Sequence, residues 1–121
     1  MLLSVRQCNF THHLALLILE CDKLGFDVKI HELNRLVVTQ REYVNCGKSK
    51  TMKSKHLDNL AADIVLFKNG ELCKPQDYKA LGVFWESLGN RWGGRFGLEK
   101  SQYASEMGWD HPHFELGEIE C

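Results

Sequence analysis

One stretch limits the choice of fold more than any other. The run Ala61-Ala62-Asp63-Ile64-Val65-Leu66-Phe67 is apolar, rich in β-branched residues, and stops at Asn69-Gly70. Such a run reads as a strand entering a turn. A period of two puts Asp63, Val65 and Phe67 on one face and Ala62, Ile64 and Leu66 on the other. Both faces are expected to be buried, which predicts an interior strand. Asp63 is the exception in it, because a buried carboxylate is unfavourable unless it is paired or bound to a metal. Pairing with a lysine, or capping of a turn, is the plainer alternative.

His56 lies seven residues before Asp63. The intervening Leu57 to Leu60 can loop back so that the two side chains converge, and Asn59 suits a turn because it tolerates left-handed backbone. A second stretch, Trp109-Asp110-His111-Pro112-His113-Phe114-Glu115-Leu116, reads as a short strand. Pro112 cannot donate to a ladder and fits the strand's start or an edge. His111, His113 and Glu115 then share one face, with Asp110 in a turn after Gly108. Zinc takes imidazole and carboxylate ligands, and a catalytic zinc keeps three protein ligands. His56, Asp63 and His113 make such a set, and Asp110 is left to move protons. Taken singly, His56 also fits a surface loop, and His111 and His113 also fit a solvated edge strand.

With these spacings in hand, the chain resembles a known family. Ser-x-His, then six residues, then Asp, followed far downstream by acid-x-x-His-Phe-Glu, is similar to the D-alanyl-D-alanine carboxypeptidase and dipeptidase family of zinc peptidases. That family includes phage endolysins that cut the L-alanyl-D-glutamate bond of peptidoglycan. The resemblance runs from about Arg35 to Leu116. Arg35 and Gln40 match the family's Arg-Ser/Thr-x-x-x-Gln segment, and Gly47-Lys48-Ser49-Lys50 its Gly-Lys-Ser turn. Trp85-Glu86-Ser87-Leu88-Gly89 and Trp92-Gly93-Gly94-Arg95-Phe96 look like elements of the phage enzymes. The resemblance implies Zn2+ on His56, Asp63 and His113, Asp110 as the catalytic acid, and Arg35 steadying the substrate or the developing oxyanion. Two departures from the pattern matter: Asn59 stands where Gly is usual, and Asp110 where Glu is frequent.

The fold expected is α+β: a small antiparallel β-sheet carrying the zinc ligands, with helices packed on one side, as the resemblance to Hedgehog-type and DD-peptidase domains implies. At 121 residues the chain is expected to form a single zinc peptidase catalytic domain over 1–121. A net charge of -1 gives no reason to expect nucleic acid as a partner, and no apolar stretch is long enough for membrane insertion. The partner expected is a peptidoglycan stem peptide, and the protein is expected to be a monomer. No signal peptide is read at the start, so synthesis in the cytoplasm is expected, with action on the cell wall after release or as part of a virion. The five cysteines, Cys8, Cys21, Cys46, Cys73 and Cys121, include no C-x-x-C pair. They argue against a thiolate metal site and are expected to serve mostly as small apolar core residues.

Along the chain, a helix is predicted over 4–24, its apolar stripe formed by Phe10, Leu14, Leu17, Ile18 and Cys21, with Asn9 or Thr11 as local caps and Gly25 ending it. His12 and His13 are expected at exposed polar positions. A strand is predicted over 26–33 with Phe26, Val28 and Ile30 on one face, and His31 on its other face in a structural role. A helix over 37–46 would follow, with Val37, Val38, Tyr43 and Val44 as its inner face. The lysine-rich 48–55 reads as a solvated loop, or as a rim attracting acidic stem peptides. A helix begins near Pro75 and carries the stripe Tyr78, Leu81, Phe84, Trp85 and Leu88. The glycine-rich 89–97 lacks the Lys-Ser/Thr ending of a phosphate loop and reads as a groove wall or an ordinary turn. Residues 98–107 read as a polar loop or short helix.

The reaction these residues suit is metal-assisted hydrolysis of a peptide bond, with Asp110 passing a proton to the leaving amine and zinc and Arg35 stabilising the oxyanion. The sequence does not show what holds the free nitrogen of each ligand histidine. The enzyme alternative is a D-Ala-D-Ala carboxypeptidase or dipeptidase. A non-catalytic zinc-stabilised binding module would need His111 or Glu115 as a fourth ligand, and a metal-free interaction domain is a third alternative.

Overall fold

A computed structural model describes residues 2–33, 37–47 and 55–117, with backbone only at 37–40, 56 and 57. The architecture is α+β, a five-stranded antiparallel sheet with helices against it. Helix α1 spans Leu3–Lys23 and buries Phe10, Leu14, Leu17 and Cys21, one stripe at steps of three and four residues. Each such side chain contributes roughly 1.5–3 kcal/mol on leaving water. The helix starts well before Asn9 and Thr11, so neither is its cap; the Thr11 hydroxyl donates instead to the Gln7 carbonyl at 3.0 Å. It ends where Gly25 takes a left-handed φ of +83°.

Strand β1 (Asp27–Glu32) pairs with the central strand β2 (Ala61–Lys68). Val28 packs on the core, but Ile30, on the same strand face, is exposed. His31 is also exposed. Helix α2 spans Val37–Asn45, where Tyr43 and Val44 are half-buried; the side chains of Val37 and Val38 lie outside those described. The core face of β2, Ala62, Ile64 and Leu66, is fully buried, while Asp63, Val65 and Phe67 on the other face are half-buried. Asn69 (φ 53°) and Gly70 (φ 78°) close a tight turn into β3 (Glu71–Leu72), both positions left-handed as such a hairpin requires. Asn59 is left-handed too (φ 56°), as expected of the turn that enters β2.

Pro75–Tyr78 forms a 3-10 turn that leads into helix α3 (Lys79–Ser87). Tyr78, Leu81 and Trp85 are buried, with Phe84 and Leu88 partly so. Strands β4 (Arg91–Trp92) and β5 (His113–Glu115) complete the sheet in the order β1-β2-β5-β4. Trp85 ties the two together, its indole nitrogen donating to the carbonyls of Arg91 (3.1 Å) and Glu115 (2.9 Å). A 3-10 turn over Lys100–Gln102 interrupts the polar loop.

Two further expectations fail. Among the described cysteines only Cys21 is buried; Cys8 and Cys46 are exposed, and Cys73 is partly buried against the core. His13 is not a bare surface histidine: its Nδ1 meets the Asn90 amide at 2.9 Å and its ring packs edge-on to Trp85. Cys121 lies outside the described residues.

Candidate active site

Strand pairing assembles the site. Asp63 on β2 stands opposite His113 on β5, and Arg91 on β4 stands opposite Glu115. The two-residue period puts Phe114 into the core and turns His113 and Glu115 to the other face. There Nδ1 of His113 lies 3.2 Å from Asp63 Oδ1, and Nε2 lies 2.9 Å from Glu115 Oε1.

Asp110 joins them through a turn. The His113 amide donates to the Asp110 carbonyl at 3.1 Å, and the Asp110 amide to the Gly93 carbonyl at 3.2 Å. This brings Asp110 Oδ2 to 3.9 Å from Nδ1. The close approach depends on Gly93: a Cβ there would run into the Asp110 carbonyl and sit 2.9 Å from the Cβ of His113. Phe96 covers the ring of His113 at 5.5 Å between centroids.

Charge follows from this packing. Burial alone would push the His113 imidazole down, but hydrogen bonds to Asp63 and Glu115 and the nearby charges of Asp63 and Asp110 outweigh it and raise the pKa to about 9. Burial likewise opposes ionisation of Glu115, yet its hydrogen bond to His113 and the cations His113, Arg91 and Lys55 hold its pKa below the usual value. Lys55 Nζ stands 3.6 Å from Glu115 Oε2 and donates to the Leu116 carbonyl at 3.2 Å. Lys55 thus faces inward and is no part of a solvated lysine rim; Lys48, Lys50 and Lys53 lie outside the described residues.

Three of the five predicted site residues, Asp63, Asp110 and His113, come together. His56 belongs to a 3-10 turn over Lys55–Asp58, tied to β5 where the Leu60 amide bonds the Lys55 carbonyl (2.9 Å) and the Leu116 amide bonds the Leu60 carbonyl (2.8 Å). Its side chain, and all of Arg35, lie outside the described residues. Among the described residues no group of three or more His, Cys, Asp or Glu is disposed to hold a metal ion. The donor chemistry at His113 nevertheless suits one. With a cation bound the ring would be neutral: Glu115 would then accept from Nε2–H and leave Nδ1, on the side of Asp63, to the metal, the outer-carboxylate arrangement common behind metal-bound histidines.

The fold as a whole resembles that of a solved enzyme. The chain is similar in structure to an L-Ala D-Glu endopeptidase. The protein compared is ChiX of Serratia marcescens, whose crystal structure matches with a TM-score of 0.67 and 25% identity, over 89% of this chain and 77% of that one. No family model matches the chain, and no curated protein matches it.

Glu115 is the residue whose role the sequence left open. Alternation places it on the face of His113, but only the side-chain geometry shows it on Nε2, away from the Nδ1 side where a fourth metal ligand would belong. His111 does not join the cluster through any described contact; its ring packs on Tyr78 at 4.7 Å, and burial lowers its pKa. Residues 90–92 and 95–98 line a cleft of about 480 Å³ beside the site, together with Glu86, Tyr103 and Trp109.

Proposed function

We propose that this protein is a zinc-dependent peptidoglycan peptidase that hydrolyses the L-Ala–D-Glu bond of stem peptides. The observation that carries the reading is the His113 arrangement: one nitrogen held by Glu115, the other facing Asp63 and Asp110. The likeness to the Serratia endopeptidase supports both the fold and the substrate class.

His56, Asp63 and His113 would hold the zinc. Bound there, zinc would supply Lewis-acid polarisation of the scissile carbonyl and a nucleophile available at neutral pH. Glu115 fixes the His113 ring and its tautomer. Asp110 is within one turn of His113 and is the carboxylate that takes the proton from the attacking water and delivers it to the departing amine. Arg35 is assigned to the oxyanion, as its place in the Arg-x-x-x-x-Gln segment suggests. Phe96 excludes water from one side of the imidazole.

Purified wall fragments incubated with the zinc-loaded protein and analysed by mass spectrometry test this directly. New termini at L-Ala and D-Glu are expected. Release of D-Ala alone would replace the reading with a carboxypeptidase, and no cleavage with tightly held zinc would replace it with a binding module.

A further inference from the structure

The cleft beside the site has two arginines on its wall, and they are not equivalent. Arg95 is fully engaged: it grips Glu86 through two nitrogens at 3.2 Å each, donates to the Tyr103 carbonyl at 3.0 Å, and lies between the rings of Trp92 and Tyr103. Its charge is matched and its geometry fixed. The side chain of Arg91 is 57% exposed and bonds through Nη1 alone, at 3.4 Å, to Glu115. That distance is longer than a charge-assisted bond, which is about 2.7–2.9 Å. Glu115 has Lys55 and His113 as further partners, so it does not consume the Arg91 charge. Most of the guanidinium's five donors remain for a ligand.

The position of Arg91 is also informative. Its guanidinium stacks on Phe96 at 5.2 Å, and the other neighbours of Phe96 are His113 at 5.5 Å and Trp109 at 5.6 Å. The cleft therefore runs from Trp109, next to Asp110, along Phe96 to a cation. Trp109, 58% exposed, offers a flat apolar surface at the end nearer Asp110.

We infer that Arg91 is a specificity-determining residue that binds, within this cleft, the carboxylate of an acidic residue on the leaving side of the scissile bond. The inference rests on the proposed endopeptidase reading. In that substrate the residue after the cut is a glutamate, which keeps one carboxylate outside the backbone whichever of its two carboxyls continues the chain. A planar carboxylate matches the guanidinium fork, and the methylenes of the glutamate lie along the aromatic floor.

The test uses two stem peptides, one with that carboxylate free and one with it converted to a carboxamide. Wild-type protein is expected to cleave the free acid with a kcat/KM roughly 10- to 100-fold above the amide, the range for a hydrogen bond to a charged group. R91Q should bring the acid-to-amide ratio close to one, whatever its lost contact with Glu115 costs both peptides alike, and R91K should keep part of the preference through its charge. On metal-stripped protein, calorimetric titration should show the same preference in Kd, with no turnover involved. An equal loss on both peptides, or a preference that survives in R91Q, overturns the inference while leaving the endopeptidase reading in place. If wild-type protein cleaves neither peptide, the endopeptidase reading fails, and the binding titration alone then decides the role of Arg91.

Discussion

Glu115 holds Nε2 of His113 at 2.9 Å from two residues further along the same strand, so one short β-strand supplies both an imidazole and the carboxylate that orients it. The other nitrogen, Nδ1, meets Asp63 Oδ1 at 3.2 Å across the neighbouring strand. Replacing Glu115 with Gln should weaken zinc binding roughly 10- to 100-fold, the usual effect of losing an outer-shell partner. Competition with a chromophoric chelator measures this. An unchanged zinc affinity would show that the ring is oriented by something else.

Asp110 is assigned to proton transfer and is not among the proposed metal ligands. Asp110→Ala is expected to keep zinc at wild-type stoichiometry and to lose roughly 100- to 10,000-fold in kcat. Metal analysis and turnover on the same preparation check it. Retained turnover would remove Asp110 from the mechanism.

The metal-stripped protein should respond to pH through His113. Its folded pKa of about 9 lies above the unfolded value of about 6.5. The protonated ring therefore favours the folded state fully below pH 6.5, and this contribution is lost as pH rises to about 9. Glu115 has the opposite sign: its pKa is lowered on folding, so its contribution is lost in acid. Thermal melts in chelator should show a falling Tm between pH 6.5 and 9, absent in a His113→Gln variant. A flat profile in the parent protein would contradict the geometry around Nδ1.

Trp92 lies flat between two glycines. A Cβ on Gly82 or on Gly94 would penetrate its indole ring. Gly82→Ala should therefore destabilise the protein by about 1–3 kcal/mol, as overpacking of a filled core does. Urea denaturation reads the change. A neutral result would mean that β4 and α3 separate easily.

The described cysteines should divide by position. Burial raises the Cys21 thiol to about 12, whereas Cys8 and Cys46 are exposed. A thiol reagent at pH 8 should label Cys8 and Cys46 in the native protein and reach Cys21 only after denaturation. Peptide mapping of the labelled protein distinguishes these sites.

Local rules made much of this protein legible. The stripe Phe10, Leu14, Leu17, Cys21 fixed a helix, because a 3.6-residue period cannot be buried any other way. The β-branched run from Ala61, stopped by Asn69-Gly70, defined the central strand and its hairpin, since those two residues accept the left-handed backbone such a turn needs. Asn59 was readable for the same reason. The grouping of Asp63, Asp110 and His113 was expected from their spacing and from the family resemblance.

What the sequence could not decide are the contacts that depend on strand order and register. Asp63 and His113 are 50 residues apart and meet because β5 enters the sheet between β2 and β4. The same placement sets Arg91 opposite Glu115 and gives one carboxylate three cationic neighbours. On β1, Ile30 is exposed although Val28, on the same strand face, packs against the core. A side-chain period fixes which face a residue takes; only the pairing of strands fixes which residue it faces.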